Sequence, residues 1–331
     1  MVKILMMGAR EDEKEFAIKW AKENNVTLKI TSKFLNDKTY SMIKGFDGLS
    51  LQQTMGLPTK MYTDLKNDGF KQIAQRSAGF DMYNLEEARK QGIKITNVPA
   101  YSPNSVAEFV VASALNAVRH LNDIESNVSK HDFRWSAPIM SNEIQSLTIG
   151  ILGTGRIGQV VAKIFKGFGA KVIGYDLFQN ESAKKILTYE NDFDKFVKKS
   201  NILTIHTPLT QDNYHMFNDN TFKKMTPGTI LINAARGAIV DTKSMMRALD
   251  SGQLKFCAMD TYENEMPYVT YDWSKKHLED PLLNEIIKRD DIQYTPHIAF
   301  YTDVAVKNLV YGGLNACLEI LETGNSKSIV N

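Results

Sequence analysis

The sequence is poor in cysteine and has no long apolar run, and both shortages narrow the class of protein. Only two of its 331 residues are cysteines, Cys257 in a strand-like run and Cys317 in a helical one. We therefore expect buried thiols in a reducing compartment rather than a disulfide framework. The apolar run from Ile4 to Met7 is too short for the core of a signal peptide, and no stretch approaches a membrane span. These features predict a cytoplasmic protein that does not act on a membrane.

The sequence also lacks a strong net charge and the usual motifs of metal or covalent catalysis. Its 40 basic and 38 acidic residues leave a formal charge of +2, which argues against nucleic acid as a partner and favours a small molecule. No His or Cys cluster has metal-ligand spacing, and no serine lies in a nucleophile elbow, so we predict no metal site. With 43% hydrophobic residues, the chain can build two domains.

A glycine-rich turn is the most informative feature of the sequence. An apolar strand precedes the turn, and a helix and a second strand follow it. The turn consists of Gly153, Thr154, Gly155, Arg156, Ile157 and Gly158. Gly153 permits a tight turn, Gly155 lets the backbone approach a pyrophosphate, and Gly158 lets the helix pack closely on the strand. Asp176, eighteen residues after Gly158, suits the hydroxyls of a ribose and opposes a 2′-phosphate. We predict that these seven residues bind NAD.

The same segment opens a series of apolar runs that predicts the fold of the second domain. Strands are predicted at 148–152, 172–175, 202–206, 229–233, 256–260 and 292–295, with helix-length segments between most of them. This alternation is typical of a doubly wound parallel sheet of the Rossmann type, with strand order 3-2-1-4-5-6. The first three strands would hold the adenosine half of the cofactor and the last three the nicotinamide half.

The N-terminal hundred residues alternate in the same way. A strand from Lys3 to Met7, a helix over about 12–24 and a strand from Val26 to Ile30 are followed by apolar runs at 46–51, 73–77 and 93–98. Ser102 and Pro103 then start a long helix, whose apolar stripe runs from Val106 to Leu121. We predict an α/β protein with two Rossmann- or flavodoxin-like domains. A substrate domain of residues 1–100 and 300–331 is interrupted by an inserted NAD domain of residues 101–299.

Three side chains with suitable chemistry follow the last three predicted strands. Arg236 can hold a substrate carboxylate through two parallel hydrogen bonds, and His297 can donate a proton. Glu265 can stabilise the charged imidazole and raise its pKa. Because the carboxyl ends of parallel strands meet at one edge of the sheet, we expect these groups to converge. Glu263, two residues before Glu265, is an alternative for the acid.

His206 is the main alternative to His297, because it also ends a predicted strand. That strand borders the adenosine half in the predicted order, away from hydride transfer, so we prefer His297. Solvated or capping roles are expected for the remaining histidines, which are His120, His131, His215 and His277.

Several motifs along nearly the whole chain carry a resemblance to a known family. They are Arg76-Ser77-Ala78-Gly79-Phe80-Asp81, the run from Asn97 to Asn104, the glycine turn with Asp176, the run from His206 to Thr210, Asn233-Ala234-Ala235-Arg236-Gly237, the run from Asp260 to Glu263, and Thr295-Pro296-His297. Together they resemble the D-2-hydroxyacid dehydrogenase family, and most closely its D-lactate dehydrogenase branch.

The resemblance implies a role for each site residue. Arg236 would bind the substrate carboxylate, and Glu265 with His297 would form the acid–base pair. Further contacts to the substrate are implied for the backbone amides of Ala78 and Gly79 and for Tyr101. Asp260 is expected near the nicotinamide carboxamide, and Thr207, Pro208, Ala234 and Ala235 are expected at the cofactor.

The resemblance also implies an activity, in which NADH reduces a short 2-keto acid, pyruvate by preference, to its D-2-hydroxy acid. Tyr101 and Phe300, two bulky rings, are expected to border the substrate side chain and leave room for a methyl group. A homodimer is implied as the assembly. Alternatives are a 2-hydroxyisocaproate-type enzyme for larger keto acids, a phosphoglycerate-type biosynthetic dehydrogenase, and a dinucleotide-sensing regulator of the same fold.

Overall fold

Two parallel β-sheets organise the computed structural model, which describes residues 1–331. The sheets belong to two separate units, one formed by Met1–Ser102 with Tyr301–Asn331 and the other by Pro103–Phe300. The predicted fold class, two α/β domains with parallel sheets, is thereby confirmed. The assignment of substrate binding to the first unit stays a prediction.

The first unit holds a five-stranded parallel sheet of order β2-β1-β3-β4-β5. Its strands are β1 (Lys3–Met7), β2 (Thr27–Ile30), β3 (Gly48–Leu51), β4 (Gln72–Gln75) and β5 (Lys94–Thr96). Its first three helices are α1 (Lys14–Glu23), α2 (Thr59–Asn67) and α3 (Leu85–Gln91). Every residue of β3 and of β4 is buried, as expected for central strands that are covered on both faces.

The second unit begins with two helices and continues as a seven-stranded parallel sheet of order β12-β11-β10-β9-β6-β7-β8. Its helices are α4 (Pro103–Arg119), α5 (Leu121–Ser129), α6 (Arg156–Gly167), α7 (Glu181–Lys184), α8 (Phe193–Lys199), α9 (Asp219–Lys224), α10 (Thr242–Asp250) and α11 (Pro281–Ile286). Its strands are β6 (Thr148–Leu152), β7 (Lys171–Tyr175), β8 (Thr188–Tyr189), β9 (Ile202–Ile205), β10 (Thr229–Asn233), β11 (Leu254–Met259) and β12 (Ile292–Tyr294).

The order of this sheet corrects the predicted strand positions. The short edge strand β8 was not predicted, so the strand predicted third, β9, is the fourth strand of the sheet in chain order. It pairs directly with β6 and β10 in the centre of the sheet instead of lying beyond β7. A strand of two residues shows no periodicity in the sequence, and for this reason β8 was missed. His206, which follows β9, therefore lies after a central strand of the sheet and not after a strand beyond β7.

The last helix, α12 (Asp303–Thr323), returns the chain to the first unit, where it packs on β3 and β4. It is long and apolar enough to cross a membrane by length and composition alone. Its apolar side is buried, however, and includes Leu309, Val310, Leu314 and Cys317. Burial of this kind is typical of a core helix. Cys317 and Cys257 are both buried and free, which confirms the expectation of isolated thiols.

The long helix predicted from Pro103 divides into two pieces. In α4, Val106, Val110 and Ala114 are buried along one stripe. The helix ends at Arg119 because His120 adopts the left-handed backbone conformation, with φ of 55°. Leu121, predicted to end the buried stripe, instead begins α5 and is 53% exposed.

Candidate active site

Arg236, Glu265 and His297 all lie in the second unit, in loops at one edge of its sheet. Arg236 follows β10, Glu265 follows β11 and His297 follows β12. These three strands are parallel neighbours, so their carboxyl ends point the same way. The structure thus brings the three predicted side chains to a common edge, and their catalytic roles stay predictions at this point.

Glu265 and His297 form a direct hydrogen bond. The distance from His297 Nδ1 to Glu265 Oε1 is 2.7 Å, and the other carboxylate oxygen accepts the Tyr262 amide at 2.9 Å. The Glu265 side chain is 10% exposed, whereas 40% of the His297 side chain is exposed. Because Nδ1 is hydrogen-bonded to Glu265, Nε2 is the ring nitrogen that can hydrogen-bond to a ligand.

The structure separates the two candidate acids by their partners. Glu263 turns away from His297, and its Oε2 lies 2.9 Å from Nε2 of His215. Glu265 is therefore the glutamate that the geometry favours as the partner of His297.

The charges around His297 favour its protonated form. Burial acts to lower the pKa of His297, but the hydrogen bond and charge of Glu265, together with the charge of Asp260, outweigh it. The nearby positive charge of Arg236 opposes these groups, and the net pKa is raised above the ordinary value of 6.5. The pair can therefore hold a proton at neutral pH.

Asp260 anchors the segment that carries His297. Its carboxylate accepts hydrogen bonds from the Thr295 hydroxyl at 2.6 Å and from the amides of Ile298 and Ala299 at 2.9 Å each. Burial raises the pKa of Asp260, while the same three hydrogen bonds favour the ionised form. The resemblance implied a cofactor contact for Asp260, and the supporting role of its side chain was not foreseen.

His297 adopts an unusual backbone conformation that this anchoring maintains. Its φ is 54°, in the left-handed region that L-residues rarely occupy. The His297 amide donates to the carbonyls of Asp260 at 2.8 Å and Thr295 at 2.9 Å. Backbone strain of this kind is often found at functional sites, where the surrounding structure maintains it.

The turn that carries Arg236 is held by two residues to which the sequence analysis gave no role. The Asn233 side chain donates to the Arg236 carbonyl at 2.9 Å and accepts from the Ala235 amide at 3.1 Å. Gly237 lies against the next loop, and a β-carbon there would be 2.2 Å from the carbonyl carbon of Tyr262. Only glycine permits this approach, which brings the Arg236 turn close to the loop of Glu265.

The surroundings of His206 in the structure show that it is poorly suited to donate a proton. Its Nε2 is hydrogen-bonded to the Thr204 hydroxyl at 2.9 Å, and its Nδ1 is buried without a partner. Burial lowers the pKa of His206 to about 3, so the ring is neutral at physiological pH. A neutral imidazole is a poor proton donor, whereas the raised pKa of His297 favours its charged form.

The glycine turn has the shape that a dinucleotide needs. Gly153 has φ of 88°, and a β-carbon there would lie 2.7 Å from the carbonyl carbon of His206. A β-carbon on Gly158 would lie 2.1 Å from the Gly153 oxygen, whereas one on Gly155 would project into open space. Since the first amides of α6 have no acceptor within the helix, the turn presents donors where a pyrophosphate could approach.

Asp176 is tied to this turn. Its Oδ2 accepts the Thr154 amide at 2.7 Å and the Thr154 hydroxyl at 3.0 Å, and its Oδ1 accepts the Phe178 amide at 3.0 Å. The Thr154 hydroxyl also contacts the hydroxyl of Tyr189 at 2.5 Å. Thr154 therefore holds the Asp176 carboxylate in place, and lone pairs remain on that carboxylate to accept from a ribose diol.

The remaining residues predicted at the cofactor are distributed around the same sheet edge. Arg156 is exposed at the start of α6, whereas Ile157 is half-buried against an apolar cluster. Two pairs lie just after the neighbouring strands β9 and β10, namely Thr207 with Pro208 and Ala234 with Ala235. Contacts of these six residues with the cofactor stay predictions.

Three of the predicted substrate residues lie in the first unit. Ala78 and Gly79 are half-buried in the loop after β4, where the Ala78 carbonyl accepts the Asn97 side chain at 2.7 Å. The Tyr101 carbonyl accepts the Asn308 side chain at 2.6 Å. Phe300, by contrast, ends the second unit and packs against one of its apolar clusters.

Replacement of Asp176 is expected to change cofactor selectivity. Asp176→Ala removes a ribose acceptor and a charge that repels a 2′-phosphate, so the preference for NADH over NADPH should fall by roughly tenfold or more. The ratio of kcat/KM values for the two cofactors measures the effect. Thr154→Val is the matched control, because it removes one hydrogen bond to Asp176 but leaves the charge, and its ratio should stay unchanged. An unaltered ratio in Asp176→Ala would refute the assignment.

Comparison with known families agrees with this geometry. Residues 111–299 match the model of the D-isomer specific 2-hydroxyacid dehydrogenase NAD-binding domain. This match covers most of the second unit, including the glycine turn, Asp176 and the three converging side chains.

Full-length relatives extend the likeness to the whole chain. The chain is 43% identical over 331 residues to a D-lactate dehydrogenase of Staphylococcus epidermidis, with 100% of both chains covered. A crystal structure of a D-lactate dehydrogenase from Treponema pallidum superposes with a TM-score of 0.92 at 37% identity, again over 100% of both chains. The structure of a D-2-hydroxyisocaproate dehydrogenase superposes with a TM-score of 0.91 at 34% identity over 99% of each chain.

Proposed function

Since the chain belongs to the D-isomer specific 2-hydroxyacid dehydrogenase family and is an NAD-dependent oxidoreductase, we propose that it reduces pyruvate with NADH to D-lactate. Three relatives that match over their full length, at 43–46% identity, are named D-lactate dehydrogenases, whereas the 2-hydroxyisocaproate enzyme is 34% identical, and this difference favours pyruvate over larger keto acids. The hydrogen bond of 2.7 Å between His297 and Glu265, at the same sheet edge as Arg236, carries the proposal.

In the proposed reaction, each of the three side chains has one task. The Arg236 guanidinium binds the substrate carboxylate and thereby orients the carbonyl. His297, whose pKa Glu265 raises, donates the proton at Nε2 to the carbonyl oxygen as it becomes a hydroxyl. NADH, when bound, supplies the hydride. The glycine turn and Asp176 would hold its pyrophosphate and adenosine ribose, and the amides of Ala78 and Gly79 would add donors to the carboxylate.

A dinucleotide-sensing regulator, the alternative function, would need only some of the residues found at this site. A protein that only senses the dinucleotide needs the glycine turn and Asp176, but it has no use for a buried glutamate that raises the pKa of a histidine. Loss of NADH absorbance when pyruvate is added, with D-lactate as the only enantiomer formed, distinguishes the two functions. A protein that binds NADH without turnover would favour the regulator.

Substrate size separates the lactate assignment from the 2-hydroxyisocaproate alternative. We expect kcat/KM for pyruvate to exceed that for 2-ketoisocaproate, because a pocket sized for a methyl group admits more carbons only with strain. Phe300→Ala should narrow this preference by about tenfold if the ring borders the substrate. A wild-type preference for 2-ketoisocaproate would contradict the lactate assignment and leave the family mechanism intact.

Phe256→Ala is the matched control for this variant. Phe256 packs against the same apolar cluster as Phe300 but lies towards the amino end of β11, away from the sheet edge that carries Arg236. Phe256→Ala should lower the melting temperature without changing the order of kcat/KM for the two keto acids. If Phe300→Ala behaves in the same way, Phe300 is a packing residue only.

An exposed apolar surface supports a homodimer. No residue of α5 is buried, and Leu121, Ile124 and Val128 are between 37% and 53% exposed on one face of it. Trp135, in the segment that follows, is 99% exposed. An apolar patch of this kind is typical of a protein–protein interface, and we propose that a second copy of the chain covers it. A solution mass near that of one chain, 37.4 kDa, would contradict the proposal.

The two free thiols favour the cytoplasm as the location. Burial raises the pKa of Cys257 to about 12, so this thiol stays protonated and unreactive inside the core. Two isolated buried thiols suit a reducing compartment, where NADH is also available. Detection of the protein outside the cytoplasmic fraction of cells would contradict this location.

A further inference from the structure

A second histidine–carboxylate cluster lies beside the acid–base pair and has no role in the reaction described above. His215 Nε2 is 2.9 Å from Glu263 Oε2, and His215 Nδ1 is 3.4 Å from Asp241 Oδ2. The Tyr214 ring stacks on the imidazole with a centroid distance of 4.0 Å. A solvated or capping role was expected for His215, but its side chain is only 27% exposed and lies between two carboxylates. We call His215, Glu263 and Asp241 the His215 cluster.

The His215 cluster connects three loops at the sheet edge that carries the proposed site. His215 follows β9, and its amide donates to the Ala238 carbonyl, after β10, at 2.8 Å. Glu263 follows β11, and its second oxygen accepts the Thr242 amide at the start of α10 at 3.3 Å. The Glu263 side chain thus bonds to both neighbouring loops.

Glu263 also belongs to the short segment that determines the position of Glu265. Because the Glu265 carboxylate accepts the Tyr262 amide at 2.9 Å, its position depends on the backbone around Tyr262 and Glu263. That backbone packs against Gly237 so closely that a β-carbon on Gly237 would lie 2.3 Å from the Glu263 nitrogen. A displacement of the segment would alter the distance between Glu265 Oε1 and His297 Nδ1.

We propose that the hydrogen bond between Glu263 and His215 is a positioning element of the reaction. It holds the segment 262–265 in place, so that Glu265 stays within hydrogen-bond distance of His297. Glu263 and His215 are positioning residues, since they act through Glu265 and not on the substrate. The inference rests on the proposed acid–base role of Glu265 and His297.

The pH dependence of reduction reports this effect selectively. The charged groups that face His297 within its unit are Glu265, Asp260 and Arg236, and those that face His215 are Glu263 and Asp241. If Glu265 moves away, the imidazolium of His297 loses the hydrogen bond and the nearby negative charge of Glu265, and the pKa of His297 falls. A bond that served stability alone would change the melting temperature and leave the pH profile unaltered.

The decisive variant is Glu263→Ala, measured for pyruvate reduction across pH. We expect kcat to fall roughly threefold to tenfold, and the alkaline fall of activity to move to lower pH by less than in Glu265→Gln. The KM for NADH should stay within about twofold. Glu263→Gln should recover most of the activity, because its amide oxygen can still accept from His215.

A second variant, at His215, tests the same hydrogen bond in case Glu263→Ala does not fold. His215 has φ of 49°, a conformation that asparagine tolerates better than most residues, so His215→Asn should fold and yet fall short of Glu263. It should reproduce the shift caused by Glu263→Ala. The matched control is Asp219→Ala, which removes an exposed ion pair to Arg247, of 2.7 Å, between α9 and α10. This pair does not involve the loop after β11, so the pH profile should not move.

The outcomes separate the two levels of the hypothesis. If Glu265→Gln shifts the alkaline fall while Glu263→Ala and His215→Asn leave it in place, the positioning role is refuted and the acid–base role stands. If Glu265→Gln leaves the profile unchanged, the proposed acid–base function itself is wrong. A shift in all three variants, with none in Asp219→Ala, supports the positioning role.

Discussion

His297→Gln is expected to lower kcat for pyruvate reduction by roughly 100-fold or more, the range typical for loss of a general acid. Glutamine approximates the size of the imidazole and can still hydrogen-bond to Glu265, but it has no titrating proton to donate. The binding of NADH should change by less than about twofold, because the glycine turn and Asp176 lie in a different part of the sheet. Stopped-flow measurement of NADH oxidation together with NADH titration by fluorescence tests both expectations.

His206→Asn is the matched control for this loss. His206 also lies just after a strand of the same sheet, but burial lowers its pKa to about 3, and its ring is hydrogen-bonded to Thr204. Its replacement should reduce kcat far less than the replacement of His297. If the larger loss occurred in His206→Asn, the proton donor would be His206 and the assignment of His297 would be wrong.

Glu265→Gln is expected to shift the alkaline fall of pyruvate reduction to lower pH. The pKa of His297 is raised by the hydrogen bond and charge of Glu265, and reduction needs the protonated ring. Activity is therefore lost as the pH rises through this pKa, and removal of the charge brings that loss to a lower pH. Above both pKa values, the variant should be slower than the wild type, because a smaller fraction of its His297 is protonated.

The reverse reaction supplies a control of opposite sign. Oxidation of D-lactate needs a neutral His297 to accept the proton, so its acidic limb should also move to lower pH in Glu265→Gln. The variant should consequently lose reduction at alkaline pH and gain relative activity for oxidation at acid pH. A uniform loss in both directions would indicate damage to the fold and not a change in the pKa of His297.

Much of the fold and the principal site residues could be predicted from short stretches of sequence. The spacing of Gly153, Gly155, Gly158 and Asp176 predicts the dinucleotide turn, because backbone conformation and close approach depend on residues that are near in the chain. Arg236 and His297 could be predicted as partners for a similar reason. Each follows an apolar run, and parallel strands necessarily bring their carboxyl ends to one edge.

Predictions that depended on burial or on the neighbours of a strand were less reliable. β8 was missed because two residues at a sheet edge leave no pattern, and the position of β9 was consequently wrong. His206 was excluded because of the predicted position of β9, and β9 does not occupy that position. The low pKa that makes His206 a poor donor arises from desolvation, which local sequence does not report.

The choice between the two glutamates depends on the tertiary structure. Glu263 and Glu265 are two residues apart in one loop, and residue type alone makes either suitable as the acid. Their partners, His215 and His297, lie 48 and 32 residues away along the chain. The meeting of an arginine, an acid and a histidine at one sheet edge could be predicted from the sequence, because strand direction requires it. Which acid faces His297 depends on how three loops pack on one another, and that packing exists only in the folded chain.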